Sequence, residues 1–230
     1  MNRRSAWLAA VVVVVSASGA WAQEGDIQTS GGTITGGSGN WSLYSGRTVN
    51  NGNALGVELG WPGINVNFLH AANSAVDLGA RFTFNYGTEV TFNVSPAMNL
   101  HFLLRFGIID KGIFSMALEV EPGLGFFFLG GGGMIIHIPA VLQMGIHPVR
   151  SLAILLGLEF RPQIIIAFGG GGGAGFGMPM LFANPGVEYA LSESVALNFR
   201  MAFGPGIVAA GGGTGVGFSF RALMGVSFKF

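Results

Sequence analysis

Apolar and polar positions alternate with a period of two along most of this chain. In Val76-Asp77-Leu78-Gly79-Ala80-Arg81-Phe82-Thr83-Phe84-Asn85-Tyr86 the even positions are apolar or aromatic and the odd ones polar, charged or Gly, Ala80 falling on the even face. Val195, Leu197, Phe199, Met201 and Phe203 share one face against Asn198 and Arg200. Phe218, Phe220, Ala222, Met224, Val226, Phe228 and Phe230 do the same in the last segment. Such alternation makes strands, because a helix would spread these positions over all its faces. Residues 123–142 and 162–183 carry no charge and are long enough for a membrane helix. An unbroken Gly tract interrupts each of them, at 130–133 and 169–173. Each Gly costs a helix about 1 kcal/mol relative to Ala, so strands and loops are the better reading.

The tracts also mark a repeat. Leu118-Glu119-Val120-Glu121-Pro122-Gly123, a Gly tract and Ile138-Pro139 are echoed by Leu158-Glu159-Phe160-Arg161-Pro162-Gln163, a Gly tract and Met178-Pro179. A third copy starts at Met201-Ala202-Phe203-Gly204-Pro205-Gly206, and Trp61-Pro62-Gly63 holds the matching place in the first strand. The unit is a β-hairpin used several times. Breaks at Asp110-Lys111-Gly112, His147-Pro148-Val149-Arg150 and Ser192-Glu193-Ser194 join one hairpin to the next. The pattern predicts strands over 53–70, 75–86, 88–95, 99–109, 113–129, 134–147, 151–168, 177–191, 195–209 and 215–230. Pro deletes a ladder hydrogen bond, so kinks are expected at Pro62, Pro122, Pro162 and Pro205.

The N-terminus reads differently. Arg3 and Arg4 precede an apolar run over 6–15 and then Ala20-Trp21-Ala22, the order of a secretory signal peptide over 1–22. Residues 23–52 are small and polar, which predicts a flexible Gly/Ser/Thr-rich lead-in, with at most a short strand at 41–44. The barrel would then occupy 53–230. Composition narrows the class further. Half of the 230 residues are apolar, 10% are charged and 40 are Gly, a balance incompatible with disorder. Eleven basic residues against eleven acidic ones give no electrostatic case for nucleic acid. The absence of Cys leaves no thiolate metal site, and no cofactor is implied.

Charges decide which face points where. Thirteen lie in predicted strands: Glu58, Asp77, Arg81, Glu89, Arg105, Glu119, Glu121, Glu159, Arg161, Glu188, Arg200, Arg221 and Lys229. All sit opposite the large apolar side chains of their strands. Turned inward, the many Phe would overfill a small barrel, and a soluble exterior would carry far more Lys and Glu. Turned outward they face lipid, and the lumen holds acids and bases that can pair. Gly225-Val226-Ser227-Phe228-Lys229-Phe230 resembles the C-terminal assembly signal of bacterial outer-membrane β-barrels. That signal is a Gly followed by alternating aromatics ending in Phe; Leu223 stands where it has a polar residue.

The resemblance implies an all-β fold, a closed antiparallel up-and-down transmembrane barrel of about ten strands (range 8–12) in a Gram-negative outer membrane. It further implies lipid as a partner, transit with periplasmic chaperones, and insertion by the barrel-assembly machinery through Gly225, Phe228 and Phe230. Both termini, with Asp110, Lys111, Arg150 and Glu193, would face the periplasm, and the Gly tracts would lie in outer loops.

Candidate chemistry is concentrated in the lumen. Glu119, Glu121, Glu159, Arg161 and Glu188, with Arg105, Arg200 and Arg221, form a charged cluster that either fills the barrel or selects solutes in a narrow porin-like channel. Ten strands leave little bore, which favours a filled lumen and a structural or interaction role. His101 and His137 face the lumen as hydrogen-bonded fillers. A lipid-modifying enzyme would need a His, a Ser and an acid together, and no His-x-Ser pairing is present, so no catalytic residue is assigned.

Overall fold

The computed structural model describes residues 41–230 apart from 90–93, 129–130, 169–172, 180–181 and 211–212. Among them ten antiparallel strands form a closed barrel with no helix. Four are single runs at the start: β1 (Asn53–Trp61), β2 (Gly63–Ala71), β3 (Val76–Gly87) and β4 (Val94–Lys111). The next four are interrupted. They are β5 (Phe114–Val120 and Gly123–Phe127), β6 (Gly133–His137 and Ala140–Val149), β7 (Leu152–Phe160 and Gln163–Ala167) and β8 (Ala174–Pro179, Phe182–Ala183 and Gly186–Ala190). Two long strands, β9 (Val195–Ala210) and β10 (Gly213–Lys229), complete the set. Every strand pairs with its neighbours in sequence, and β10 closes on β1 from Ala54 opposite Lys229 to Trp61 opposite Ala222.

The count of ten is reached by a different division of the chain. The stretch 53–70, expected as one strand, is two strands paired as a hairpin, with Val57 opposite Val66. Trp61-Pro62-Gly63 is therefore a turn and not a kink within a strand; its Pro62 carbonyl accepts from Tyr86 N and Gly87 N. Of the stretch expected as a strand over 88–95, Thr88 and Glu89 lie outside any strand, 90–93 fall outside the described residues, and Val94 and Ser95 begin β4. Pro122 and Pro162 do interrupt their strands, whereas β9 runs through Pro205, which pairs with Phe218. No strand forms at 41–44.

Register sets the dimensions. From Thr214, partners run through Ala209, Phe176, Ile164, Ile136, Leu124, Leu100, Phe82, Val66 and Val57 to Val226, twelve residues further along β10. A twelve-residue stagger over ten strands tilts them by about 40° and gives a backbone cylinder of about 10 Å radius. From Phe176 to Val226 this hydrogen-bonded row is entirely apolar. Leu100 in that row is 59% exposed, Phe102 nearby 52% and Phe218 59%. These side chains point away from the barrel axis, while Glu58, Asp77, Arg81, Arg105, Glu119, Glu121, Glu159 and Glu188 are buried inside.

The start of β1 and the last residue of the chain meet at one rim, where Asn53 N donates to Phe230 O at 2.8 Å and Phe230 N to Asn53 O at 2.9 Å. Asp110, Lys111, Arg150 and Glu193 lie in or beside the turns of that same rim. The connections from β5 to β6, β7 to β8 and β9 to β10, which contain the Gly tracts, leave from the opposite rim.

Candidate functional site

The lumen is occupied at the termini rim by the chain's own residues 41–49, every one of them buried. This replaces the flexible lead-in expected there; residues 1–22 and 23–40, with the expected signal peptide, lie outside the described residues. Ser42 Oγ turns the segment by accepting from Tyr44 N at 2.9 Å and Ser45 N at 2.8 Å. Trp41 Nε1 donates to the Glu193 carbonyl at 2.8 Å. At the tip, the Tyr44 hydroxyl accepts from Asn67 Nδ2 at 2.9 Å, and the Arg200 guanidinium lies 4.3 Å from the ring centroid. Burial, and then the nearby Glu58 carboxylate, push the phenol well above its ordinary pKa, so it stays neutral.

The returning limb is fixed as tightly. Ser115 Oγ donates to Ser45 O at 2.5 Å, and Arg47 donates to Asp110 at 3.3 Å and to Gly112 O at 2.9 Å. Thr48 Oγ1 donates to Ser74 O at 3.0 Å, and Val49 N reaches the Asp77 carboxylate at 3.0 Å. Gly46 has φ +80° and lies so close to the wall that a Cβ would sit 2.8 Å from Gln143 O. Space for this plug comes from small inward residues at the rim, among them Ala54, Gly56, Ser115, Ala117, Gly145, Ala153 and Ala196.

Beyond the tip stand buried ion pairs. Arg105 donates from Nε to Glu119 at 2.8 Å and lies 3.8 Å from Asp77; its other nitrogens donate to the carbonyls of Ser42 at 2.9 Å, of Arg47 at 3.3 Å and of Leu43. Arg81 bridges Glu119 at 3.2 Å and Glu121. Glu58 receives Arg200 at 2.6 and 2.7 Å, Asn198 at 3.0 Å and Asn65 at 3.2 Å. Buried charges need this degree of pairing, since an isolated one is strongly unfavourable.

Above the pairs the lumen opens toward the far rim as a cavity of about 350 Å³. Arg161 donates to Glu159 at 2.6 Å and to Glu89 at 3.1 Å, and Arg221 donates to Glu159 at 2.7 Å. The cluster read from the sequence is thus three groups. Glu119 and Arg105 sit between plug and cavity, while Glu121, Glu159, Arg161 and Arg221 line the cavity. Arg200 and Glu188 serve the plug; Glu188 faces Ser42 and the Leu43 backbone, with its Oε2 unpartnered.

Sequence reasoning did not assign Arg81, Asp77, Glu58 or Glu89 to that cluster, nor Tyr44 to the lumen. Strand register would have placed Arg81, whose β4 partner is His101. His101 and His137 line the cavity with rings 5.1 Å apart, and no third metal ligand joins them among the described residues. A Ser–His contact does occur, Ser115 with His147 at 2.7 Å. The single hydroxyl proton goes to Ser45 O, so the imidazole donates to the serine, the reverse of an activated nucleophile. Gly225 and Phe228 belong to the closing strand and Phe230 follows its last residue, with both aromatics exposed on the outside. No family model, curated protein or solved structure matches this chain.

Proposed function

We propose that this protein is an integral outer-membrane barrel with a structural or interaction role, closed at its termini rim by residues 41–49 and open at the other as a blind vestibule. The observation that carries the reading is the division of surfaces. An apolar row runs outside over nine of the ten strands, from Phe176 to Val226, while Glu58, Asp77, Arg81, Arg105, Glu119, Glu121 and Glu159 are paired within. Soluble proteins rarely expose contiguous apolar patches beyond a few hundred Å², whereas a bilayer accepts strands only as a closed barrel with this outward face. In this reading the termini rim is periplasmic and the Gly-tract connections face outward. Lipid surrounds the wall, and the end of the chain with Gly225, Phe228 and Phe230 meets the barrel-assembly machinery after chaperoned transit.

Fractionation with heat-modifiable gel mobility tests the address, and recovery from the soluble fraction would overturn it. Planar-bilayer recording tests the plug. The intact protein is expected to stay silent, and deletion of residues 41–49 to give steady currents. Steady currents from the intact barrel that change in Glu121→Gln or Arg161→Gln would replace the closed barrel with a narrow channel.

A further inference from the structure

The vestibule has the properties of a small-molecule site. Its volume of about 350 Å³ lies in the range of ligand pockets, which run from about 300 to 1,000 Å³. Three arginines line it, Arg81, Arg161 and Arg221, against three glutamates, Glu89, Glu121 and Glu159, so its formal charge balances. Each of these six is already engaged with a partner of opposite sign. An anion or a cation would have to displace one member of a pair and leave the other uncompensated in a confined space, which is costly. The lining therefore selects against net charge.

Neutral hydrogen-bonding groups remain to meet a solute. His101 Nδ1 lies 3.1 Å from the Glu121 carbonyl, which can only accept, so the proton sits on Nδ1 and Nε2 is an acceptor. Gln163 adds an amide carrying both donor and acceptor, and Ser219 a hydroxyl. The aromatic lining is equally pointed. This chain turns its phenylalanines outward almost everywhere, yet Phe127 and Phe182 turn inward, and both line this cavity. The Arg161 guanidinium holds the Phe182 ring from 5.4 Å. A ring presents an electron-rich face that suits the polarised C–H groups of a polyol, while amide, imidazole and hydroxyl suit its hydroxyl groups.

We infer that the vestibule binds a small uncharged polyhydroxylated solute, a mono- or disaccharide, entering from the far rim. The inference rests on the closed-barrel reading for its blind floor. The probes are glucose and maltose, with glucose 6-phosphate and glucosamine as charged counterparts on the same skeleton, titrated calorimetrically into the purified full-length barrel in detergent. Either neutral sugar is expected to bind, with the charged counterparts at least tenfold weaker. Gln163→Ala and Phe127→Ala should each weaken binding roughly tenfold, the loss of one hydrogen bond or one stacking face. Gln163→Ala removes no packing ring, so it serves where Phe127→Ala fails to fold. Equal or tighter binding of a charged counterpart overturns the inference, as does absence of sugar binding to a barrel that runs as a folded, heat-modifiable band. Binding and conductance separate the two readings. Currents with binding intact remove only the closed floor, and a silent barrel that binds no sugar removes only the saccharide site.

Discussion

Arg105 is the residue on which the plug most depends, and replacing it with Met separates the plug's stability from the barrel's. The side chain is 1% exposed and makes two kinds of interaction. Its ion pairs with Glu119 and Asp77 belong to the barrel wall and persist whether or not the plug is seated. Breaking a buried pair of this kind costs about 3–5 kcal/mol, moderated here because Arg81 still reaches Glu119 at 3.2 Å. Its bonds to the carbonyls of Ser42, Leu43 and Arg47 exist only with the plug in place. A hydrogen bond from a charged donor is worth about 1.5–3 kcal/mol, and the three are not additive, so seating weakens by about 3–5 kcal/mol. The unseated fraction should then rise roughly a hundred- to several-thousand-fold.

Limited trypsin digestion reads this directly. The bond after Arg47 is buried in the plug, whereas Lys111 and Arg150 are exposed at the same rim and serve as internal controls. When seating and release are fast relative to cleavage, the cut after Arg47 tracks the unseated population. In Arg105→Met that cut should accelerate relative to those after Lys111 and Arg150, while the urea midpoint of the folded barrel falls. An unchanged Arg47 cut alongside a lowered midpoint would show that Arg105 stabilises the wall without holding the plug.

Three further outcomes follow from the same geometry. Gly46→Val places a Cβ 2.8 Å from Gln143 O at φ +80°, so it should unseat the plug with every ion pair between strands of the wall intact, visible as a red-shifted Trp41 emission without loss of heat-modifiability. Phe102→Lys puts a charge on the outward apolar face and should cost about 2–4 kcal/mol in urea titrations of vesicle-inserted barrel; a change within about 0.5 kcal/mol would mean the face meets water. Glu58→Gln leaves Arg200 without its carboxylate and should destabilise by about 3–5 kcal/mol, and the double variant with Arg200→Gln should lose less than the two single losses combined.

The wall was legible from the sequence because a period of two assigns each side chain to a face with no knowledge of the neighbouring strand. The hairpin at Trp61-Pro62-Gly63 was not, since the residues on both sides of the turn continue the apolar alternation and the 40-residue repeat suggests a kink there. The plug was hidden for a different reason. Ser42, Ser45, Gly46 and Thr48 look like linker residues, and nothing local marks them as buried. The available signal lay elsewhere, in Ala54, Gly56, Ala117, Gly145, Ala153 and Ala196. Residues this small cannot fill a cylinder of about 10 Å radius, so a further segment has to enter it. The ion-pair partners depend on register. Spacing at i and i+2 puts Glu119 and Glu121 on one face, but only the staggered wall brings Arg81 across to them.

The repeat and the charged cluster are one feature of the fold. Glu121-Pro122, Ile138-Pro139 and Arg161-Pro162 interrupt β5, β6 and β7, and Asn184-Pro185 interrupts β8. A Pro lacks the N–H that a ladder needs, so each break loses a donor while keeping its carbonyl. Those carbonyls link the interruptions laterally: Glu121 N donates to Pro139 O at 2.8 Å, and Ile138 N to Pro162 O at 3.1 Å. The outer flanks are joined the same way, Phe102 N to Pro122 O at 2.9 Å and Met201 N to Pro185 O at 2.8 Å. The breaks in β5, β6 and β7 therefore form a row across three adjacent strands, whereas the one in β8 lies nearer the termini rim, where Asn184 N donates to Gly157 O at 2.9 Å. Beside this row Glu119 projects inward between plug and vestibule, and Glu121, Glu159 and Arg161 project into the vestibule. A repeated Glu-x-Glu-Pro or Glu-x-Arg-Pro motif thus sets where the strands break and supplies the paired charges at the floor and wall of the open half of the lumen.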